Sequence, residues 1–173
     1  VLVGACAQSP PIAHRRVASF GHRYVLPVRF TYQAHTDEGH HQLRYSFMSL
    51  NRSSSPPELV AGEYAANPDQ TTRLTRYALD PHTWQLQSGH DGSARPLTLN
   101  QGVTHMQGVA IVNDRHYVSV SHGPFPGSIH VGRPGALRAR RWALPMGPED
   151  LAYWPSTDRL WSLTEHPRRR WIV

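Results

Sequence analysis

Two stretches near the C-terminal end of the sequence decide the expected fold: Met106–His122, MQGVAIVNDRHYVSVSH, and Pro148–His166, PEDLAYWPSTDRLWSLTEH. Each reads as an apolar strand, a turn that ends in Asp-Arg, and a second strand that ends in His. The two Asp-Arg pairs, Asp114-Arg115 and Asp158-Arg159, are 44 residues apart. A repeat of this length is typical of a β-propeller blade, a four-stranded unit that cannot bury both of its faces alone.

The remainder of the chain reads as short strands separated by turns, without a sustained helical period. The sequence therefore predicts an all-β fold of four-stranded antiparallel propeller-type blades, near residues 43–86, 106–144 and 148–173. In the first blade Trp84–Leu86 is the expected outer strand, and His90–Gln101 is a connector. Residues 1–18 are predicted to be an N-terminal tail, and the propeller-like domain spans residues 19–173. Since propellers typically have 4–8 blades, the predicted propeller is incomplete.

The charge of the chain does not indicate a nucleic-acid partner. All 18 basic residues are Arg, and the formal net charge is +6. A polyanion would need these Arg residues on one face, and a single-strand platform would need aromatic residues between them. The sequence shows neither pattern, so no nucleic acid is expected. No apolar run reaches the roughly 18 residues that a transmembrane helix requires.

The N-terminal stretch predicts where the protein is located. Val3–Cys6, VGAC, resembles a bacterial lipoprotein cleavage site, in which Cys6 would carry the lipid. Few apolar residues precede it, so the alternative is a free or buried cysteine without a signal. The single cysteine excludes an internal disulfide. We expect an extracellular or cell-surface protein, with lipid anchoring through Cys6 as one alternative and a truncated fragment as another.

Residues that begin the innermost strand of each blade are the candidate ligand site, because they would line one mouth of a central channel. These candidates are His41, His105, Gln107, Glu149 and Asp150. No cofactor is expected, with a divalent cation as the alternative. Carboxylate oxygens suit calcium and added imidazole suits zinc, so His105, Glu149 and Asp150 are the candidate metal ligands. The competing interpretation is that these groups bond loop amides and hold the strand starts in place.

A catalytic site is not assigned from the sequence. His122 and His166 end matching strands, and Glu165 precedes the second, so a His-carboxylate pair is one interpretation. Their repetition at one position favours a packing role instead. No G-x-S-x-G motif accompanies a serine nucleophile.

Several motifs together resemble a family of secreted actinobacterial proteins whose function is uncharacterised. The motifs are HRYVLP, LRYSFMSLNR, PELVAGEY, MQG, GPEDLAYW and RLWSLTEHP, and the resemblance covers Phe20–Val173. It implies secretion and a propeller-like fold, and it implies no activity. More distantly, MQGV followed by a turn and RHYVSVS is similar to a blade of bacterial glutaminyl cyclotransferase propellers.

The expected function is a secreted binding or scaffold protein that recognises an unknown ligand or protein partner. One alternative is an enzyme at the channel mouth, cyclotransferase-like or a hydrolase, with Glu149 or Asp150 as acid or base. A strongly raised carboxyl pKa in a deep pocket would favour that enzyme. Another alternative is a fragment without independent activity. An unclosed propeller would leave apolar faces and strand edges open, so self-association is also expected.

Overall fold

The computed structural model describes residues 13–19, 22–28, 33–34, 45–70, 72–87, 93–94, 96–165 and 172–173. Within these ranges the chain consists of strands and turns and contains no helix. Accordingly, none of the described residues belongs to a helix that could cross a membrane. The predicted fold class, an all-β chain built on four-stranded antiparallel sheets, is confirmed.

The described residues form fourteen strands. In chain order they are β1 Ala13–Ser19, β2 His22–Val28, β3 Gln33–Ala34, β4 Tyr45–Asn51, β5 Glu58–Glu63, β6 Arg73–Ala78, β7 Ser93–Ala94, β8 Thr98–Gln101, β9 Met106–Val112, β10 Arg115–His122, β11 Phe125–Gly132, β12 Arg138–Met146, β13 Pro148–Trp154 and β14 Arg159–Thr164. β1 and β2 form an antiparallel hairpin, and β3 pairs with β7 in parallel. β1 therefore lies mostly in the segment that the sequence analysis assigned to a tail.

The first sheet has the strand order β4-β5-β6-β8. Its fourth strand is Thr98–Gln101, which lies in the predicted connector, and not Trp84–Leu86 as predicted. After Leu79 the chain enters a tight turn in which Asp80 Oδ1 accepts hydrogen bonds from the backbone N–H groups of His82 and Thr83. Trp84 has a φ of 60°, so this segment cannot stay extended, and Leu86 contributes only an isolated bridge to Leu79.

The second sheet is a meander in the order β9-β10-β11-β12, as the sequence predicts for residues 106–144. The third sheet contains β13 and β14. Val173 extends it, because Ser162 and Val173 exchange two backbone hydrogen bonds of 2.8 and 2.9 Å. Ile172 adds an isolated antiparallel bridge to Leu163 of β14.

The two Asp-Arg hairpins pair residue for residue in the same way. Val109 pairs with Val118 in the second sheet, and Leu151 pairs with Ser162 in the third. Matching residues differ by 42 positions in the first strand of each hairpin and by 44 in the second. The two extra residues lie in the turn, where Asp114 and Asp158 both adopt positive φ, 60° and 51°. Asp tolerates this conformation better than most residues, which explains its place in both turns.

The second sheet has apolar contacts on both of its faces. Toward the first sheet it contributes to one buried cluster, which comprises Phe47, Val60, Leu74, Met106, Val109, Val118 and Val120. Toward the third sheet it contributes to another, which comprises Ala110, Ile129, Val131 and Leu151, with Tyr117, Leu144, Tyr153 and Leu160 packed against it. β9 packs against both β4 and β13, so the first strands of the three sheets lie side by side.

Candidate functional site

The three sheets share an irregularity at the start of their first strands. In β4 the pairing shifts between Tyr45 and Phe47, in β9 between Met106 and Gly108, and in β13 between Pro148 and Leu151. Each first strand therefore contains one more residue than its partner, which is the definition of a β-bulge. Bulges redirect side chains and are common next to functional sites.

Each bulge lies at the start of a first strand, and we call the residues at the three bulges the first-strand rim: Ser46, Gln107, Glu149 and Asp150. Gln107 and Glu149 occupy matching positions in the two Asp-Arg hairpins. Three of these four residues were predicted from the sequence. Ser46 was missed because the strand was predicted over Leu43–Asn51, with His41 just before it as the candidate site residue, whereas β4 begins at Tyr45. His41 lies outside the described residues, as does Cys6.

A glycine allows two strands of the rim to approach each other closely. A Cβ built on Gly108 would lie 2.6 Å from the backbone N of Leu151 and 2.7 Å from the Cα of Asp150. Any other residue would clash with this backbone. Across the same gap, Ser119 Oγ donates a hydrogen bond of 2.7 Å to the carbonyl oxygen of Glu149. The backbone of Glu149 is therefore held directly against the second sheet.

The carboxyl group of Glu149 forms a pair with that of Glu165. Burial, the hydrogen bond to Glu165 and the negative charges of Glu165 and Asp150 together raise the pKa of Glu149 to about 7. The Glu149 carboxyl group is therefore partly protonated near pH 7, because a second carboxylate at short range disfavours its ionised form. Glu149 is half-buried, whereas Asp150 and Glu165 are exposed, so the pair is open to solvent on one side.

Two of the predicted site residues, Asp150 in the rim and His105 just before β9, have structural partners. The Oδ1 atom of Asp150 accepts a 2.8 Å hydrogen bond from the backbone N–H of Leu151. His105 has a φ of 61°, matching Gly147 with 64° at the same position before β13. The His105 ring packs edge-on against the Tyr64 ring, with 5.9 Å between the centroids.

Metal coordination has limited support in the described part of the chain. There, no three side chains of His, Cys, Asp or Glu lie close enough together to hold a metal ion. Among the histidines at strand ends, the His122 ring Nε2 lies 3.0 Å from Ser128 Oγ, and His166 lies outside the described residues. The rim therefore offers carboxylates, an amide and a hydroxyl rather than a complete ligand set.

A second polar cluster, at the opposite end of the sheets, was missed by sequence reasoning. Glu58 begins β5 and is buried between the first and second sheets. Arg76 donates two hydrogen bonds to its carboxylate, through Nε at 2.9 Å and through Nη2. Asn51 Nδ2 donates a third at 3.2 Å. The buried carboxylate is thus paired and hydrogen-bonded, as a buried charge must be.

His116 lies beside this cluster. It is 3% exposed, and neither ring nitrogen has a hydrogen-bond partner among the described residues. Burial, followed by the positive charge of Arg76, lowers the pKa of His116 to about 4, so the ring is neutral near pH 7. Its alternation with Val118 and Val120 was the signal that it faces inward.

Comparisons with known proteins found no match: no family model, no curated protein and no solved structure is similar to this chain.

Proposed function

We propose that this protein is a binding module of incomplete propeller type that recognises its ligand at the first-strand rim. One observation carries this proposal. The three first strands contain the same one-residue bulge, while the side chain at the bulge differs: Ser46, Gln107 and Glu149. A constant backbone that presents varied side chains is typical of recognition surfaces on rigid scaffolds.

The propeller arrangement is supported by how the sheets stack. The second sheet has apolar clusters on both faces, and its first strand lies beside those of the other two sheets. Blades of a propeller pack in this manner, with their first strands around a central axis. The VGAC sequence at Cys6 and the likeness to secreted actinobacterial proteins support an extracellular or cell-surface location as part of the proposal.

The chemistry of the rim favours a ligand that carries a positive charge. Its acidic groups are Glu149 and Asp150, with Glu165 hydrogen-bonded to Glu149. The chain as a whole has a net charge of +6. A basic protein repels cations in general, so attraction of a cation at the rim must come from these local carboxylates. Above pH 7 Glu149 loses its proton and gains a negative charge. Affinity for an amine or guanidinium group should therefore rise as the pH passes through about 7.

Calorimetric titration with a tri-arginine amide peptide at low salt tests this proposal. We expect binding at pH 8 that is several-fold tighter than at pH 6, because Glu149 is then mostly ionised. Glu149→Gln should remove the difference between the two pH values. The matched control is Asp69→Asn, which removes a charge from an exposed loop and should leave the difference intact. Equal binding by the wild type at both pH values, or an unchanged Glu149→Gln variant, would refute the proposal.

An enzyme that uses Glu149 as a general acid or base is the second candidate. The observation that favours it is the pKa of about 7, since proton transfer is most efficient when the catalytic pKa lies near the working pH. Against it, Asp150 and Glu165 are exposed to solvent. An open carboxyl pair does not exclude water from a reaction as catalytic sites do, so recognition is the better-supported function.

A further inference from the structure

The third sheet has a face that the rest of the described chain leaves open. Leu151, Tyr153 and Leu160 point toward the second sheet and pack in the cluster between the two sheets. Since side chains alternate along a strand, the intervening residues lie on the other side. We call that side the outward face; its residues are Asp150, Ala152 and Trp154 of β13, and Arg159, Trp161 and Leu163 of β14.

The outward face is apolar at its centre. Trp154 is 55% exposed and Leu163 is 49% exposed, and Ile172, which bridges to Leu163, is 72% exposed. The rings of Trp154 and Trp161 lie together, with 5.4 Å between their centroids. Large exposed apolar patches of this kind mark interaction surfaces, and tryptophan is enriched among the residues that dominate binding energy.

The second sheet shows what covers such a face. Its matching residues, Ala110 and Tyr117, occupy the positions of Ala152 and Trp161, and the third sheet packs over them. The outward face of the third sheet therefore has the same strand pairing as the covered face of the second sheet. No described residue packs over it. Another β-sheet face is the structure that fits it.

We propose that the outward face is the contact surface between two copies of this chain. The charges support this occupant, because Asp150 lies at one end of the face and Arg159 lies at the other, and both are exposed. A two-fold axis through the centre of the face places Asp150 of one copy opposite Arg159 of the partner subunit. The same axis places Trp161, which pairs with Ala152 in the middle of the face, against its own counterpart. Such a surface is complementary to itself.

The same reasoning predicts a closed pair rather than a filament. A head-to-tail chain of copies would need a second open face, and the natural candidate is the side of the first sheet that points away from the second. There Ala61, Thr75 and Tyr77 are buried. Since this side is already covered, the described residues offer no second open sheet face for a head-to-tail chain, and the two-fold arrangement closes the assembly at two copies.

Light scattering of the full chain across a wide concentration range tests the proposal, which does not rest on the ligand proposed for the rim. The expected mass is twice the 19.5 kDa of the chain, falling to one chain on dilution. Trp154→Arg should abolish the pair. The matched control is Phe125→Arg, because Phe125 is 67% exposed on the second sheet and should tolerate the same change without loss of the pair.

A charge exchange tests the two-fold arrangement and does not depend on the folding of Trp154→Arg. Arg159→Asp alone should weaken the pair at least several-fold, because Asp150 then faces an acid. Combining it with Asp150→Arg should restore the pair, with the two charges exchanged. A wild type that stays monomeric, a species larger than two chains, an equal loss in Phe125→Arg, or no recovery in the double variant would each overturn the proposal.

Discussion

The β9–β10 hairpin and the β13–β14 hairpin have the same pairing in different surroundings. The first is covered on both faces by other sheets, whereas the second is covered on one face only. The two hairpins have the same residue where the turn conformation requires it, as at Asp114 and Asp158. They have different residues where a neighbouring sheet packs against the first hairpin but not against the second.

Three matched pairs of residues show this difference. Gly108 corresponds to Asp150, His116 to Leu160, and Ser119 to Leu163. In each pair the residue of the β9–β10 hairpin is adapted to a neighbour. Gly108 admits the backbone of β13, Ser119 bonds that backbone, and His116 lies beside the Glu58–Arg76 ion pair. Replacing a residue of the β9–β10 hairpin by its β13–β14 counterpart should therefore lower the unfolding free energy more than the reverse replacement.

The largest effect is expected for Gly108→Asp, which gives β9 the residue of β13. The new Cβ would clash with the backbone of Leu151, and a charge would enter the interface between two sheets. Overpacking of this kind costs about 3 kcal/mol of unfolding free energy. The reverse exchange, Asp150→Gly, should cost less than about 1 kcal/mol, since Asp150 is exposed. Urea denaturation measures both, and similar losses would contradict the proposed close approach.

The second-largest effect on stability is expected for His116→Leu, and this effect depends on pH. The pKa of His116 is about 4 in the folded protein, below its ordinary value of 6.5. Between these values the unfolded chain binds more protons, so stability present above pH 6.5 is lost as the pH falls toward 4. This loss amounts to about 3 kcal/mol at most.

Leucine cannot be protonated, so His116→Leu should reduce the acid loss. The measurement is the urea midpoint at pH 7 and at pH 4.5, for the variant and the wild type. His82→Gln is the control, because His82 is exposed in a turn. An acid loss that is unchanged in His116→Leu would show that His116 does not cause it.

The smallest effect is expected for Ser119→Ala. The hydroxyl donates a 2.7 Å hydrogen bond to the carbonyl oxygen of Glu149 across the gap at Gly108. Losing it should lower the unfolding free energy by about 1 kcal/mol, since the carbonyl loses its buried partner. Ser156→Ala, in an exposed loop, should change nothing measurable. A thermal melt that does not separate the two variants would argue against this contact.

The hairpins and their turns could be predicted because their signals are local. The apolar run Val109–Val112 and the Asn113-Asp114 turn indicate a strand that ends in a hairpin turn, within one short stretch. The fourth strand of the first sheet could not be predicted in this way. Thr98–Gln101 pairs with β6 from a distance in sequence, and the nearer Trp84–Leu86 has an ordinary strand composition. Only the turn at Asp80 excludes it.

The candidate site was predicted in part for the same reason. Gln107, Glu149 and Asp150 follow from the position of the first strands, which is a property of the sequence pattern. The pairing of Glu149 with Glu165 follows from the register of the β13–β14 hairpin, in which Pro148 pairs with Thr164. The burial of His116 beside Arg76 depends on which sheets meet. Such contacts join residues that are far apart in the chain, so no local pattern contains them.

The sequence by itself determined the all-β class, the hairpin pairing of residues 106–122 and the turns at Asp114 and Asp158. Alternation and turn chemistry act over a few neighbouring residues, and they hold wherever the segment is placed. Only the tertiary structure decided which faces are covered, which strand completes the first sheet, and how the pKa of Glu149 and that of His116 move in opposite directions from their ordinary values. These outcomes depend on burial and on nearby charges, which exist only once separate sheets have packed together.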